Sequence, residues 1–384
     1  ATTEIYTLSY TTLFRSITPS SSGPTQPKTY SFDNVSYSGQ TTRLDMLGEL
    51  TAEMKKPASG TAADAQVMLN MFKNENDPFA DGALNSATKQ LKNKCFDVTG
   101  EAPSASTFEY YMGRLASLSA QSTGAWSPGN AGVATSGSKA YYLDENGVEY
   151  AQIVEKGLMG AVFYYQIAET YTRDGKIGYA VDNETVTDGK GTDMEHHWDE
   201  AFGYFGAPVD LTEDNYADKS LRYHAKYAKK GSAVGLKTVG NVMDQFIKGR
   251  FSISNKDYTA RDEAAAQLRK EYEMILVTTA IHYINGAISN FSDDAIRNHE
   301  LSEAYAFVIS LHYNSDKLIS DADLVMVKDY FREDMGGHKV PSFLNITVAK
   351  LNDAKNKLST VYGLDAVKDR KSTRLNPVTW PSRM

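Results

Sequence analysis

The chain has 384 residues, 48 acidic against 40 basic, for a formal charge of −8, and 41% of it is hydrophobic. Its length allows one large or two ordinary domains with a full core, and its acidity argues against nucleic-acid binding, which needs clustered Lys and Arg. The longest nearly apolar run, residues 157–168, is too short to span a bilayer, which takes about 20 residues. The single Cys95 excludes an intramolecular disulfide and a Cys-based zinc site.

Both ends carry an unusual signal. Tyr10-Thr11-Thr12-Leu13-Phe14-Arg15-Ser16 back-translates, in one frame, to the 3′ end of a common short-read sequencing adapter. Residues 369–376 and 381–384 back-translate to the partner adapter. Residues 1–16 and 370–384 are therefore expected to be translated adapter and are set aside from fold reasoning. The natural piece is then 17–369, with its own start lost.

Residues 17–40 are rich in Ser, Thr, Pro and Gly and read as a linker and a short extended arm, alternating at Tyr30-Ser31-Phe32-Asp33-Asn34-Val35. From 41 onward the period is helical. Helices are expected at 42–56, 62–73, 82–94 and 107–120. Residues 122–139, rich in Gly, Ser and Ala, read as a long loop. Residues 148–173 predict a long helix, apolar nearly all round over 157–165 and so buried on several sides. A polar loop, 174–190, leads to Gly191-Thr192, where Thr192 and Glu195 have the spacing of a capping box. Further helices are expected at 219–229, 236–254, 259–291, 293–313, 321–334 and 345–361. No alternating strand pattern occurs beyond the arm. The reading is all-α: a helical domain over 41–369, in two sub-bundles at 41–206 and 207–369.

The densest chemistry lies in Met194-Glu195-His196-His197-Trp198-Asp199-Glu200-Ala201-Phe202. On a helix, Asp193, His196, His197 and Glu200 share one arc, and Met194, Trp198, Phe202 and Phe205 the opposite one. One face is built to pack. The other gathers groups that could bind a metal or move a proton, or could simply face solvent. A faint echo follows 103 residues later, where His299-x-x-x-Glu303-Ala304-Tyr305-Ala306 aligns with His196-x-x-x-Glu200-Ala201-Phe202-Gly203. Each copy follows a nearly all-apolar helix, which suggests an internal duplication. Apolar residues surround His299 and Glu303, so both should be buried and need partners. His282 reads more as a satisfied core histidine than as a ligand. The order Glu-His-His-x-x-Glu is not the zincin H-E-x-x-H, and neither a phosphate-binding glycine loop nor a G-x-S-x-G elbow is present.

His197-x-x-Glu200 and the long all-α body resemble the imelysin-like proteins of bacterial envelopes, whose signature is G-x-H-x-x-E. Tyr30-Ser31-Phe32, Glu155-Lys156-Gly157-Leu158-Met159-Gly160-Ala161, the block 195–206, and Arg297-Asn298-His299-Glu300-Leu301-Ser302-Glu303-Ala304 resemble, more closely, an uncharacterised imelysin-related lipoprotein family of Gram-negative bacteria. The resemblance implies an imelysin-like two-bundle fold. It also implies a periplasmic or outer-membrane-lipoprotein location, with the membrane reached only through a lost N-terminal lipid anchor, and a link to iron or haem uptake. Glu195 stands where the signature has Gly, which weakens the carry-over of peptidase activity.

The expected function is therefore a non-catalytic, metal- or haem-associated envelope binding protein of an iron-acquisition system. His197, Glu200 and His196 would hold a divalent metal or iron/haem, with Glu195, His299, Glu303 and His282 in support, and other envelope uptake components are possible partners. The alternatives are a metallopeptidase, and an envelope scaffold whose His–Glu pairs are purely structural.

Overall fold

The computed structural model describes residues 24–370. The adapter-like stretches fall outside the described residues, except for Arg370. The architecture is mostly helical, as the periodicity requires. In chain order the helices are α1 Ser38–Lys55, α2 Ala65–Lys73, the short α3 Gly82–Ser86, α4 Ala105–Gln121, α5 Tyr150–Leu158, the short α6 Asp174–Ile177 and α7 Asp193–Phe205. There follow α8 Tyr223–Ala233, α9 Thr238–Ser254, α10 Tyr258–Ser289, α11 Asp294–Ser310, α12 Asp321–Asp329 and α13 Val348–Tyr362.

Two long helices organise the rest. α10, 32 residues long, packs against α8, α9, α11 and α13. α5 packs against α1, α4 and α11 and continues unbroken through π-helical turns at Met159–Tyr164 and Ile167–Tyr171. Thr172 Oγ1 and Arg173 Nε donate to the carbonyls of Ile167 and Ala168, five residues back, satisfying groups that the wider turns leave open. Gly157 and Gly160 let neighbours approach this segment closely. A Cβ at Gly157 would overlap the Phe108 ring, and one at Gly160 would overlap Ser310. One cluster of buried apolar residues runs from Tyr30 to Leu364, so residues of both expected sub-bundles share a core. Among the described residues, no helix is long and apolar enough to cross a membrane.

Four expectations need correction. The stretch read as a loop at 122–139 contains a strand of an antiparallel hairpin, β1 Gly132–Ser136 with β2 Lys139–Leu143. Its turn uses Gly137 at φ +58°, and the Gly-Ser signal had been absorbed into a loop-like composition. The helix expected at 321–334 stops at Asp329. A second small hairpin follows, β3 Arg332–Asp334 with β4 Lys339–Pro341, turning at Gly336 and Gly337. The helix expected at 82–94 lasts only to Ser86, because Asn85 bonds both backbone groups of Phe79 with its side chain and so competes with helix continuation. The arm is not a paired strand. It is held by a backbone bond from Tyr30 N–H to Val209 O (2.8 Å) and by Tyr30 stacked on Phe202, ring centroids 3.9 Å apart.

Candidate functional site

α7 begins with the capping box its sequence announces. Thr192 accepts from Glu195 N–H, and Glu195 accepts from Thr192 N–H. Met194, Trp198, Phe202 and Phe205 are buried; the three aromatic rings pack around Phe246 of α9, and the Trp198 indole donates to Phe246 O (2.9 Å). Glu195 and Asp199, one turn apart, clasp Arg250 of α9: Nη1 lies 2.5 Å from Glu195 and Nε 3.0 Å from Asp199. Burial raises the Glu195 carboxyl, but Thr192 N–H and Arg250 outweigh it and hold the group below its usual range. Burial pushes Asp199 up to about 6, against the pull of Arg250.

The metal-ligand candidates on α7 are engaged locally. His197 Nδ1 lies 2.8 Å from Lys176 O, which fixes the proton there, and Nε2 accepts from Lys176 Nζ at 3.1 Å. Burial lowers the pKa of His197, favouring this neutral form. Glu200 accepts from Gln40 Nε2 (2.7 Å). Among the described residues, His196 Nδ1 is buried without a partner. Among the described residues, no group of three or more His, Cys, Asp or Glu is arranged to hold a metal ion.

α11 is differently placed. It packs on α5 and α10, whereas α7 packs chiefly on α9, α1 and the second π turn. His299 and Glu303 line a cavity of about 1170 Å³, together with residues of β2, α5, α8 and α10; His196, His197 and Glu200 do not line it. Its floor is a chain of alternating charge. Lys55 Nζ lies 3.3 Å from Glu155, Glu155 2.8 Å from Lys156, and Lys156 3.3 Å from Glu303. Glu303 lies 3.5 Å from His299 Nε2, and His299 Nδ1 2.6 Å from Glu149. Tyr141 of β2 stacks on the His299 ring, centroids 4.1 Å apart.

Each charge in this chain answers its burial. Lys156 is 4% exposed. Burial would lower its pKa, yet Glu155 and Glu303 hold it above the normal lysine value. Burial likewise raises Glu155, but Lys156 and Lys55 keep it below its ordinary value. For His299, burial lowers the pKa and Glu149 and Glu303 more than reverse it, so the ring favours the imidazolium. Glu300 has no such cation at contact distance, and burial pushes it up to about 7. On the far wall, Lys230 Nζ donates to His282 Nε2 (2.8 Å). Burial, with Lys230 beside it, takes His282 down to about 4. His282 is thus a neutral acceptor that steers a cavity lysine.

The sequence reading passed over Glu149, Glu155, Lys156, Tyr141 and Lys230. One signal was present: Glu155-Lys156 is an ionic pair at the entry of an otherwise apolar helix, where a buried charge must have partners. Cys95 is buried, with its thiol pushed far up by burial, and is chemically quiet.

A family model described as a domain of unknown function, DUF4856, matches residues 27–364, and the chain belongs to that family. No curated protein and no solved structure matches it.

Proposed function

We propose that this member of the DUF4856 family is a non-catalytic binding protein of the cell envelope, related to the imelysin-like proteins, whose ligand occupies the cavity between β2, α5, α8, α10 and α11. The observation that carries this reading is the cavity itself. It is large, its floor is an ionic chain from Lys55 to His299, and its walls present lysine and tyrosine side chains to whatever enters. A service in metal or haem acquisition follows from the resemblance of the Glu155–Ala161, 195–206 and 297–304 blocks. In that service a metal would arrive inside its ligand, as iron does in haem. A bare ion finds little support at His197, whose two ring nitrogens are both taken by Lys176.

The test is thermal unfolding and calorimetry with haem and with iron, zinc and copper salts. Ile296 lines the cavity, and Ile296→Trp should block it. A ligand held only by the folded state at 100 times its Kd stabilises by about 2.7 kcal/mol. That gain should vanish in Ile296→Trp and persist in His197→Ala. Stabilisation lost in His197→Ala but kept in Ile296→Trp would return the site to α7. No stabilisation by any ligand would remove this reading.

A further inference from the structure

We infer that the cavity takes a small organic polyanion, a molecule carrying two or more carboxylate or phosphate groups, and that Lys226, Lys229 and Lys230 of α8, with Lys139 of β2, are the side chains that bind it. This rests on the reading that the cavity is the binding site.

The charge distribution carries the inference. The protein is acidic overall, yet six lysines line this one cavity, against three glutamates. The glutamates are already committed. Glu155 serves Lys55 and Lys156, Glu303 serves Lys156 and His299, and Glu300 is close to half-protonated near neutral pH. Among the described residues, Lys139, Lys226, Lys229 and Lys230 have no carboxylate within ion-pair distance. Lys229 reaches only the Lys219 carbonyl (3.5 Å), and Lys230 only His282.

Placement makes the lysine cluster specific. Lys226, Lys229 and Lys230 stand at i, i+3 and i+4 on α8, the spacing at which like charges repel one another by a few tenths of a kcal/mol. A bound anion removes that repulsion. Burial lowers the pKa of Lys230, as expected of an ammonium lacking a counter-ion. A groove of about 240 Å³ adjoins through Glu155, Lys226 and Tyr227; its Arg222 is already paired with Asp45 (2.6 Å) and adds no free charge.

Size narrows the class. About 1170 Å³ is far more than an inorganic ion fills and lies just above the usual range for organic ligand pockets, about 300–1,000 Å³. The occupant is therefore an organic anion in solution, and a lipid phosphate headgroup is the competing source of the same chemistry.

The experiment is calorimetry on the full chain with citrate and glucose 1,6-bisphosphate, with free glucose as the uncharged control and phosphatidylglycerol vesicles as the lipid arm. At least one soluble anion should bind, weaken on raising NaCl from about 20 to 200 mM, and lose affinity at least tenfold in Lys229→Met/Lys230→Met. It should fail to bind Ile296→Trp. Lys248→Met, which removes an exposed lysine paired with Glu263 away from the cavity, should change nothing. Unchanged circular dichroism and melting temperature establish that each variant is folded. Haem or glucose binding that Ile296→Trp blocks, but that neither salt nor the double lysine variant weakens, overturns the anion inference and leaves the binding-protein reading standing. Binding to the vesicles without either soluble anion overturns the soluble source. No binding that Ile296→Trp can block overturns both.

Discussion

Glu149 and His299 are 150 residues apart in the chain, and His299 Nδ1 lies 2.6 Å from the Glu149 carboxylate. Glu149 is the residue just before α5 and His299 sits in the second turn of α11, so this contact ties the two helices together. Ser302 Oγ, one turn on, accepts from Glu149 N–H at 2.9 Å and fixes the same junction.

Removing the ring while keeping Glu149 should be costly. The Glu149 side chain is 4% exposed, and His299→Ala would leave it buried without its cation. A loss of about 2–4 kcal/mol is expected. The pH dependence has a definite sign. His299 has a raised folded pKa, so its stabilising contribution is complete below the unfolded value of about 6.5 and is lost as pH rises through the folded value. Urea unfolding should show the deficit of His299→Gln at pH 6 and a smaller one at pH 9.

His224 behaves oppositely. It is wholly buried on α8 beside Tyr272, and among the described residues neither ring nitrogen has a partner. Burial lowers its pKa to about 3. A depressed histidine costs stability as pH falls below the unfolded value of about 6.5, at a limiting slope of about 1.4 kcal/mol per pH unit. His224→Phe should therefore be close to neutral at pH 8 and increasingly more stable than the natural chain down to pH 5. Parallel pH profiles for the two proteins would exclude this assignment.

Gly249 on α9 should resist the usual helix rule. Gly→Ala in a helix interior ordinarily gains about 1 kcal/mol. Here a Cβ would overlap the Trp198 indole, which is fully buried and tied to Phe246 O. Gly249→Ala should lose about 2 kcal/mol or more. Gly113→Ala on α4, where a Cβ meets nothing, should show the ordinary gain. Urea midpoints of the two variants should move in opposite directions.

One phenol ties the arm to the core. Tyr30 OH donates to the Asp199 carboxylate at 2.7 Å, inside the core. Tyr30→Phe keeps the stack on Phe202 but leaves a buried carboxylate one donor short, at a cost of about 1.5–3 kcal/mol. Limited proteolysis should then cut the arm faster near 24–37, while the body stays resistant. Unchanged cleavage would show that the hydrogen bond does not hold the arm.

Much of the fold was legible from local pattern. The long helices α9, α10, α11 and α13 follow their apolar periods, and the Thr192–Glu195 capping box is a purely local device. What failed was local as well. The Gly137 turn was hidden in a Gly- and Ser-rich stretch, and the Asn85 side chain ended a helix that composition would have continued. The α7 motif was read correctly as one packing face and one polar face. Its polar face could not be assigned, because nothing in residues 193–205 says that Lys176 occupies both nitrogens of His197 or that Arg250 takes Glu195 and Asp199.

By itself the sequence determined the helical class, because the period of apolar residues is a property of neighbours along the chain. It also determined that His299 and Glu303 must find partners, because a charge on an apolar helix face has no other stable state. Only the tertiary structure decided which partners. Lys156 is shared between Glu155 and Glu303, 147 positions further on, and His299 between Glu303 and Glu149. Ion pairing acts through space and depends on how helices cross, so the Lys55-to-Glu149 chain, and the cavity lysines left without a carboxylate, exist only once α5, α8, α10 and α11 have packed.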